Sequence, residues 1–169
     1  MIYFNGFSLK NEEVLFKDYL VVSEFVVAGF SYGAIRAFEY AYSSKNRLDR
    51  LILLSPAFFQ NNKKSFIRTQ LRYFKMDNNH YTKEFLKNVS YPSTTDLEEY
   101  LEVGTIDELE ALLSYIWDKD KILELIDRGV TIEVFIGEED KIVDSKKSFE
   151  FFSNITTTYL LKNRGHLLK

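Results

Sequence analysis

Residues 24 to 43, EFVVAGFSYGAIRAFEYAYS, constrain the fold of this chain more than any other stretch. EFVVAG is β-branched, apolar and closed by glycine, which predicts a buried strand. Beyond it Ile35, Phe38 and Tyr42 recur at spacings of three and four, with Ala34, Ala37 and Ala41 among them. That pattern predicts a helix whose small-residue face packs closely on a sheet. Between the two lies Gly29-Phe30-Ser31-Tyr32-Gly33. A sharp turn from strand to helix crowds its own backbone, so the residues two before and two after the serine must be small. The pattern places Ser31 where a nucleophile would be presented.

The rest of the chain repeats the alternation. MIYF predicts a short strand ended at Asn5-Gly6, and SLKNEEVLFKDYL predicts a helix with Ser8 as its cap. Leu51 to Leu54 form a further apolar strand, stopped by Pro56. From 58 to about 125 the character changes to polar and aromatic helical segments: KKSFIRTQLRYFKM, YTKEFLKNV, STTDLEEYLEV and TIDELEALLSYIWD. TIEVFIG then predicts a strand over 131–137, DSKKSFEFFSN a helix and TTTYLL a last strand. Strands separated by helices imply right-handed parallel crossovers and an α/β fold with a mostly parallel sheet. The expected division is a core of residues 1–57 and 126–169, with a helical insertion at 58–125.

Bulk properties narrow the function classes. The 169 residues fit one domain, and 46% hydrophobic content supplies a substantial core. A net charge of −3 gives no footprint of a nucleic-acid binder. With no cysteine, a disulfide scaffold, a Cys-ligated zinc site and a thiol nucleophile are excluded. MIYFNGFSLKNEEVLF has no basic segment, apolar stretch or small-residue cleavage site of a leader, and no apolar run approaches the roughly 20 residues of a membrane span. The expectation is a soluble cytoplasmic protein.

A serine nucleophile needs a base, and the base an orienting acid. Of the two histidines, His80 lies in MDNNHYT, read as a solvated polar loop, and His166 in NRGHLLK follows the last strand. FIGEEDKIVD follows the 131–137 strand and offers Glu138, Glu139, Asp140 and Asp144. Asp140 is the first choice, and the order Ser31, Asp140, His166 is that of a nucleophile-elbow hydrolase. Two backbone donors for an oxyanion would be the Tyr32 amide, at the start of the helix, and the Phe7 amide, in the loop after the first strand.

The segments NGF, GFSYG, RLILLSPA, IGEED and RGH, in this order, resemble the α/β-hydrolase superfamily. The resemblance implies a compact hydrolase fold, truncated at its N-terminus because the sheet begins directly at the oxyanion loop. It makes residues 58–125 a cap over the site. Where the family often has His-Gly, this chain reads Asn5-Gly6. The compact size and the start MIYFNGFSLKNE are most similar to the short pimeloyl-ACP methyl ester esterases of biotin synthesis, the BioV type. That resemblance implies cleavage of the methyl ester of pimeloyl-acyl carrier protein, without metal or cofactor. Lys64, Arg68, Arg72 and Lys75 lie on one helical stripe, at spacings of four, four and three, and would face the acidic carrier protein. The residues also admit a general small-acyl esterase or thioesterase, or a non-catalytic hydrolase-like ligand-binding protein.

Overall fold

A computed structural model describes residues 1–169. Five strands form one sheet in the order β1-β2-β3-β4-β5, every pair parallel. They are β1 (Ile2–Phe4), β2 (Val26–Phe30), β3 (Arg50–Leu54), β4 (Thr131–Gly137) and β5 (Thr157–Leu161). β2 and β3 are covered on both faces, which is why they read as continuous apolar runs; β4 alternates, with Ile132, Val134 and Ile136 buried and Glu133 and Phe135 half-buried. Val27, Leu51, Leu53 and Val134 face one core, with Phe38, Trp117 and Phe152. Val26, Ala28, Ile52 and Leu54 face the other, with Phe16 and Leu167. Each such leucine or valine stabilises the fold by about 2 kcal/mol relative to exposure.

The first core is closed by α1 (Tyr32–Ser43), α5 (Lys119–Asp127) and α6 (Ser145–Ser153). Between β3 and α5 the chain leaves the sheet as α2 (Lys64–Met76), α3 (Asn78–Ser90) and α4 (Ile106–Ser114). A capping box starts α4: the Thr105 hydroxyl accepts the Glu108 N–H, and the Glu108 carboxylate accepts the Thr105 N–H. The expected 125/126 boundary falls inside α5. That helix is tied to the sheet layer, where the Tyr42 hydroxyl donates to Glu124 at 2.8 Å and Lys121 pairs with Glu39 at 3.2 Å. No helix is long and apolar enough to cross a membrane.

Three local expectations are corrected. Residues 8–20 do not form a helix; only a 3-10 turn, Glu12–Phe16, is present. Ser8 and Asn11 have φ values of 60° and 54°, which break any helix through them. Ser8 caps nothing; its hydroxyl accepts the Gly104 N–H at 3.0 Å. Second, STTDLEEYLEV is not a helix beyond the 3-10 turn Glu98–Tyr100. It is drawn out as a strap against the loop after β1: Leu9 and Leu101 form an antiparallel bridge, and Lys10 N–H donates to the Tyr100 carbonyl at 2.8 Å. Third, His80 is not in a loop but in the first turn of α3, where its N–H donates to the Asp77 carboxylate at 2.9 Å.

The turn between β2 and α1 is as crowded as its glycines imply. A Cβ on Gly29 would collide with the Gly33 carbonyl, and one on Gly33 would collide with the carbonyls of Phe4 and Asn5. All of these obstacles are backbone and cannot swing aside. Gly33→Val is therefore expected to prevent folding, read as loss of soluble protein and of the native circular dichroism spectrum. A soluble Gly33→Val protein with native thermal stability would contradict this packing.

Candidate active site

Ser31 sits at the apex of that turn, with φ 54° and ψ −113°. Such a conformation costs a non-glycine residue roughly 1–3 kcal/mol and persists only when its surroundings enforce it. Here the Ser31 N–H donates to the Leu54 carbonyl at 2.9 Å, and the Ser31 carbonyl accepts N–H groups of Ala34 and Ala57, both at 3.1 Å. The backbone is thus clamped from β3 and from the first turn of α1, and the hydroxyl is carried above the carboxyl edge of the sheet.

Two further loops at the same edge reach it. After β5, the segment Gly165–Leu168 turns inward and buries His166 completely. The Ser55 hydroxyl, at the end of β3, donates to the His166 carbonyl at 2.6 Å and fixes this loop. His166 Nε2 lies 2.9 Å from Ser31 Oγ, and His166 Nδ1 lies 2.6 Å from Asp140 Oδ2. The loop after β4 supplies Asp140, whose other oxygen accepts the N–H groups of Ile142 at 2.7 Å and Val143 at 3.1 Å. A carboxylate facing Nδ1 accepts its proton-bearing N–H, which leaves Nε2 with a lone pair aimed at the Ser31 hydroxyl. Phe30 packs on the imidazole ring at 5.0 Å between centroids.

The neighbouring carboxylates do something else. Asp144 caps α6, accepting the Lys147 N–H at 3.1 Å, and that hydrogen bond holds its carboxyl below the usual range. Glu138 is exposed and Glu139 half-buried, and neither side chain bonds to His166. His80 is exposed on α3, where it lines the cavity described below, and makes no hydrogen bond to Ser31.

Of the two expected oxyanion donors, the Tyr32 N–H lies in the first turn of α1, where helix geometry provides no carbonyl partner. The Phe7 N–H follows β1 and makes no hydrogen bond within the protein. The close approach of the Phe4 and Asn5 carbonyls to Gly33 sets this loop directly beside the turn that carries Ser31. Two residues that support the site escaped the sequence reading. Ser55, in LLSPA, gives no signal distinguishing it from any strand-end serine. Glu12 is buried beneath the Phe7 loop, and a glutamate in a charged run carries no signal of burial.

A cavity of about 540 Å³ lies between α2, α3, α4 and the loop after β4. Phe66, Tyr73, Leu109 and Leu112 are among its apolar walls. Phe85, another wall, packs edge-on against Phe7 at 5.6 Å, and Ile142 follows Asp140 by two residues, so the cavity adjoins both loops of the site. Lys64, Arg68, Arg72 and Lys75 are exposed along the outer side of α2, and none enters an ion pair.

No known family profile and no curated protein matches this sequence. Solved structures match its shape. Carboxylesterase CesB from Bacillus subtilis superposes with a TM-score of 0.59 at 15% identity, over 93% of this chain and 57% of that one. MenH from S. aureus gives 0.64 at 13% identity, over 98% and 85%. BioG from Haemophilus influenzae gives 0.59 at 10% identity, over 98% and 87%. The chain thus spans little more than half the length of that carboxylesterase. At these identities the likeness is one of fold, and the fold is that of the α/β-hydrolases.

Proposed function

We propose that this protein is a serine carboxylic-ester hydrolase that cleaves the methyl ester of a pimeloyl group carried on acyl carrier protein, releasing methanol. The observation that carries the hydrolase reading is the hydrogen-bonded chain from Ser31 through His166 to Asp140, set on a strained turn beside two backbone amides. As His166 Nε2 takes its proton, Ser31 Oγ attacks the ester carbonyl carbon. The tetrahedral oxyanion is received by the Phe7 and Tyr32 N–H groups, each worth roughly 3 kcal/mol of transition-state stabilisation. The carbon–methoxy bond breaks, and His166 returns the proton to the departing oxygen, giving methanol. Water, deprotonated by His166, then hydrolyses the acyl-enzyme to a free carboxylate and regenerates Ser31. Asp140 keeps the imidazole in the required tautomer throughout.

The carrier-protein substrate is supported by α2. One helix lines the apolar cavity with Phe66, Tyr73 and Met76, and presents Lys64, Arg68, Arg72 and Lys75 to solvent with no acidic residue among them. A carrier protein is acidic and delivers an apolar acyl chain, so one helix offers complementary surfaces to both. Its cavity volume lies within the usual range for small-ligand sites.

Methanol release from methyl-pimeloyl carrier protein tests the reading. Release by wild type and none by Ser31→Ala is expected. Hydrolysis of nitrophenyl esters with no methanol release would keep the hydrolase and discard the carrier substrate. Reversing all four α2 cations to Glu is expected to lower kcat/KM for the carrier-bound ester about 100-fold, while a free nitrophenyl ester is hydrolysed within twofold of wild type. Equal losses on both substrates would remove the stripe from carrier recognition.

A further inference from the structure

Apart from the Asp140–His166 pair, one ionisable acid is wholly inside the protein. Glu12 has 0% exposure. Its Oε1 accepts the Gly6 N–H at 2.7 Å and the Tyr3 hydroxyl at 3.3 Å, and its Oε2 has no partner. Burial pushes its carboxyl above the usual range. Enclosing such a group is costly, and an apolar side chain of the same size would avoid that cost. What it secures is the backbone of Gly6, the most permissive residue in the loop.

Both polar groups of Gly6 are engaged. Glu12 takes its N–H, and its carbonyl accepts the Leu9 N–H at 3.2 Å. The Gly6 carbonyl and the Phe7 N–H belong to one trans peptide plane and point in opposite directions. Fixing the carbonyl toward Leu9 therefore sends the Phe7 N–H the other way. That N–H has no partner in the protein. The loop that carries it is pressed through Phe4 and Asn5 onto Gly33, two residues after Ser31.

We propose that Glu12 is a positioning residue for the oxyanion site: by holding the Gly6 N–H it fixes the Asn5–Gly6 peptide plane, and with the Gly6 carbonyl held toward Leu9 this pins both sides of Gly6 and so aims the Phe7 amide at the carbonyl attacked by Ser31. This rests on the esterase reading above. Glu12 touches no substrate. Its loss lets Gly6 sample its wide conformational range, and the Phe7 donor then drifts from the developing oxyanion. The ground-state carbonyl depends less on that donor, so the effect falls on kcat and not on KM. A misplacement of about 1 Å in such a donor costs on the order of 10- to 100-fold in rate.

The test is steady-state hydrolysis of p-nitrophenyl butyrate by wild type, Glu12→Leu, Glu12→Asp and Glu12→Gln, with thermal melts of each. Glu12→Gln keeps an acceptor oxygen at the same reach and removes the carboxyl. Glu12→Asp keeps the carboxyl but is one methylene too short for Gly6. The expected result is a fall in kcat of about 10- to 100-fold for Glu12→Asp and Glu12→Leu, with KM within twofold of wild type. Glu12→Gln is expected within threefold of wild-type kcat and no less thermally stable. A trifluoromethyl ketone, which binds as a tetrahedral adduct, should weaken in parallel with kcat. Wild-type kcat in both Glu12→Asp and Glu12→Leu overturns the proposal, as does a loss in Glu12→Gln equal to theirs. If Glu12→Leu does not fold, Glu12→Asp against Glu12→Gln decides alone. A wild-type protein that turns over no ester overturns the esterase reading and this proposal with it. Wild-type turnover with insensitive Glu12 variants overturns this proposal only.

Discussion

Ser31→Ala is expected to lower kcat for nitrophenyl ester hydrolysis by about 10⁶-fold and to leave the fold intact. The residue is 3% exposed, and the hydroxyl's hydrogen-bond partner is His166 Nε2. Removing the hydroxyl deletes the attacking atom and leaves the base without a proton to take. What remains is the catalysis available from amides that bind an oxyanion no longer formed by the enzyme. The structural cost is small by comparison: one buried acceptor loses its partner, on the order of 1–3 kcal/mol. The strained backbone is unchanged, because Ser31 N–H and carbonyl are clamped independently of the side chain. Parallel melts and initial rates check both halves of this prediction. A rate reduced only a few-fold would mean that another group is the nucleophile.

Asp140→Asn is expected to lower kcat by about 10⁴-fold, while Asp144→Asn stays within twofold of wild type. The two substitutions are isosteric, and they differ in what each carboxylate faces. In Asp140→Asn the Ile142 and Val143 N–H groups, at 2.7 and 3.1 Å from Oδ1, demand an oxygen. The amide oxygen satisfies them and the NH₂ turns toward His166 Nδ1. Two donors then meet, so the imidazole adopts the other tautomer. Its Nε2 now carries a proton and cannot accept one from Ser31. Asp144 caps α6 and makes an exposed pair with Lys147 at 3.5 Å, and Asn caps a helix as well as Asp does. Rates of the two variants on one ester settle the assignment. Equal loss in both, or loss in Asp144→Asn alone, would contradict it.

Much of the sheet was legible because parallel strands covered on both faces must be continuously apolar, and Val26–Phe30 and Leu51–Leu54 are. The turn at Ser31 was legible for a related reason. Backbone approaches backbone at Gly29 and Gly33, and only glycine permits that. What sequence could not resolve was decided by partners distant in the chain. SLKNEEVLF has helical periodicity, yet Glu12 is drawn inward to the Gly6 N–H and the helix is never completed. STTDLEEYLEV carries a plausible cap, yet Leu101 pairs with Leu9, some ninety positions away, and the segment is extended. In EEDKIVD, the sequence put Asp140 first but did not settle it against Glu138, Glu139 and Asp144. Asp140 is distinguished by facing His166 with a side chain of 0% exposure. Ser55 supports the loop of His166 through a contact 111 residues apart, which no local pattern encodes.

The enclosure of the site bears on how substrate reaches it. Ser31 and His166 are almost fully covered, and Phe85, a wall of the cavity, packs edge-on against Phe7. The strap at Leu101 joins the helical insertion to the loop that carries Phe7.

If Ser31 is the nucleophile and His166 activates it, a fluorophosphonate should label the protein covalently, read by intact mass and peptide mapping in wild type and His166→Ala. One adduct per chain is expected, on Ser31, formed rapidly in wild type and slowed by several orders of magnitude in His166→Ala. Labelling at another residue, or an equal rate without His166, would contradict it.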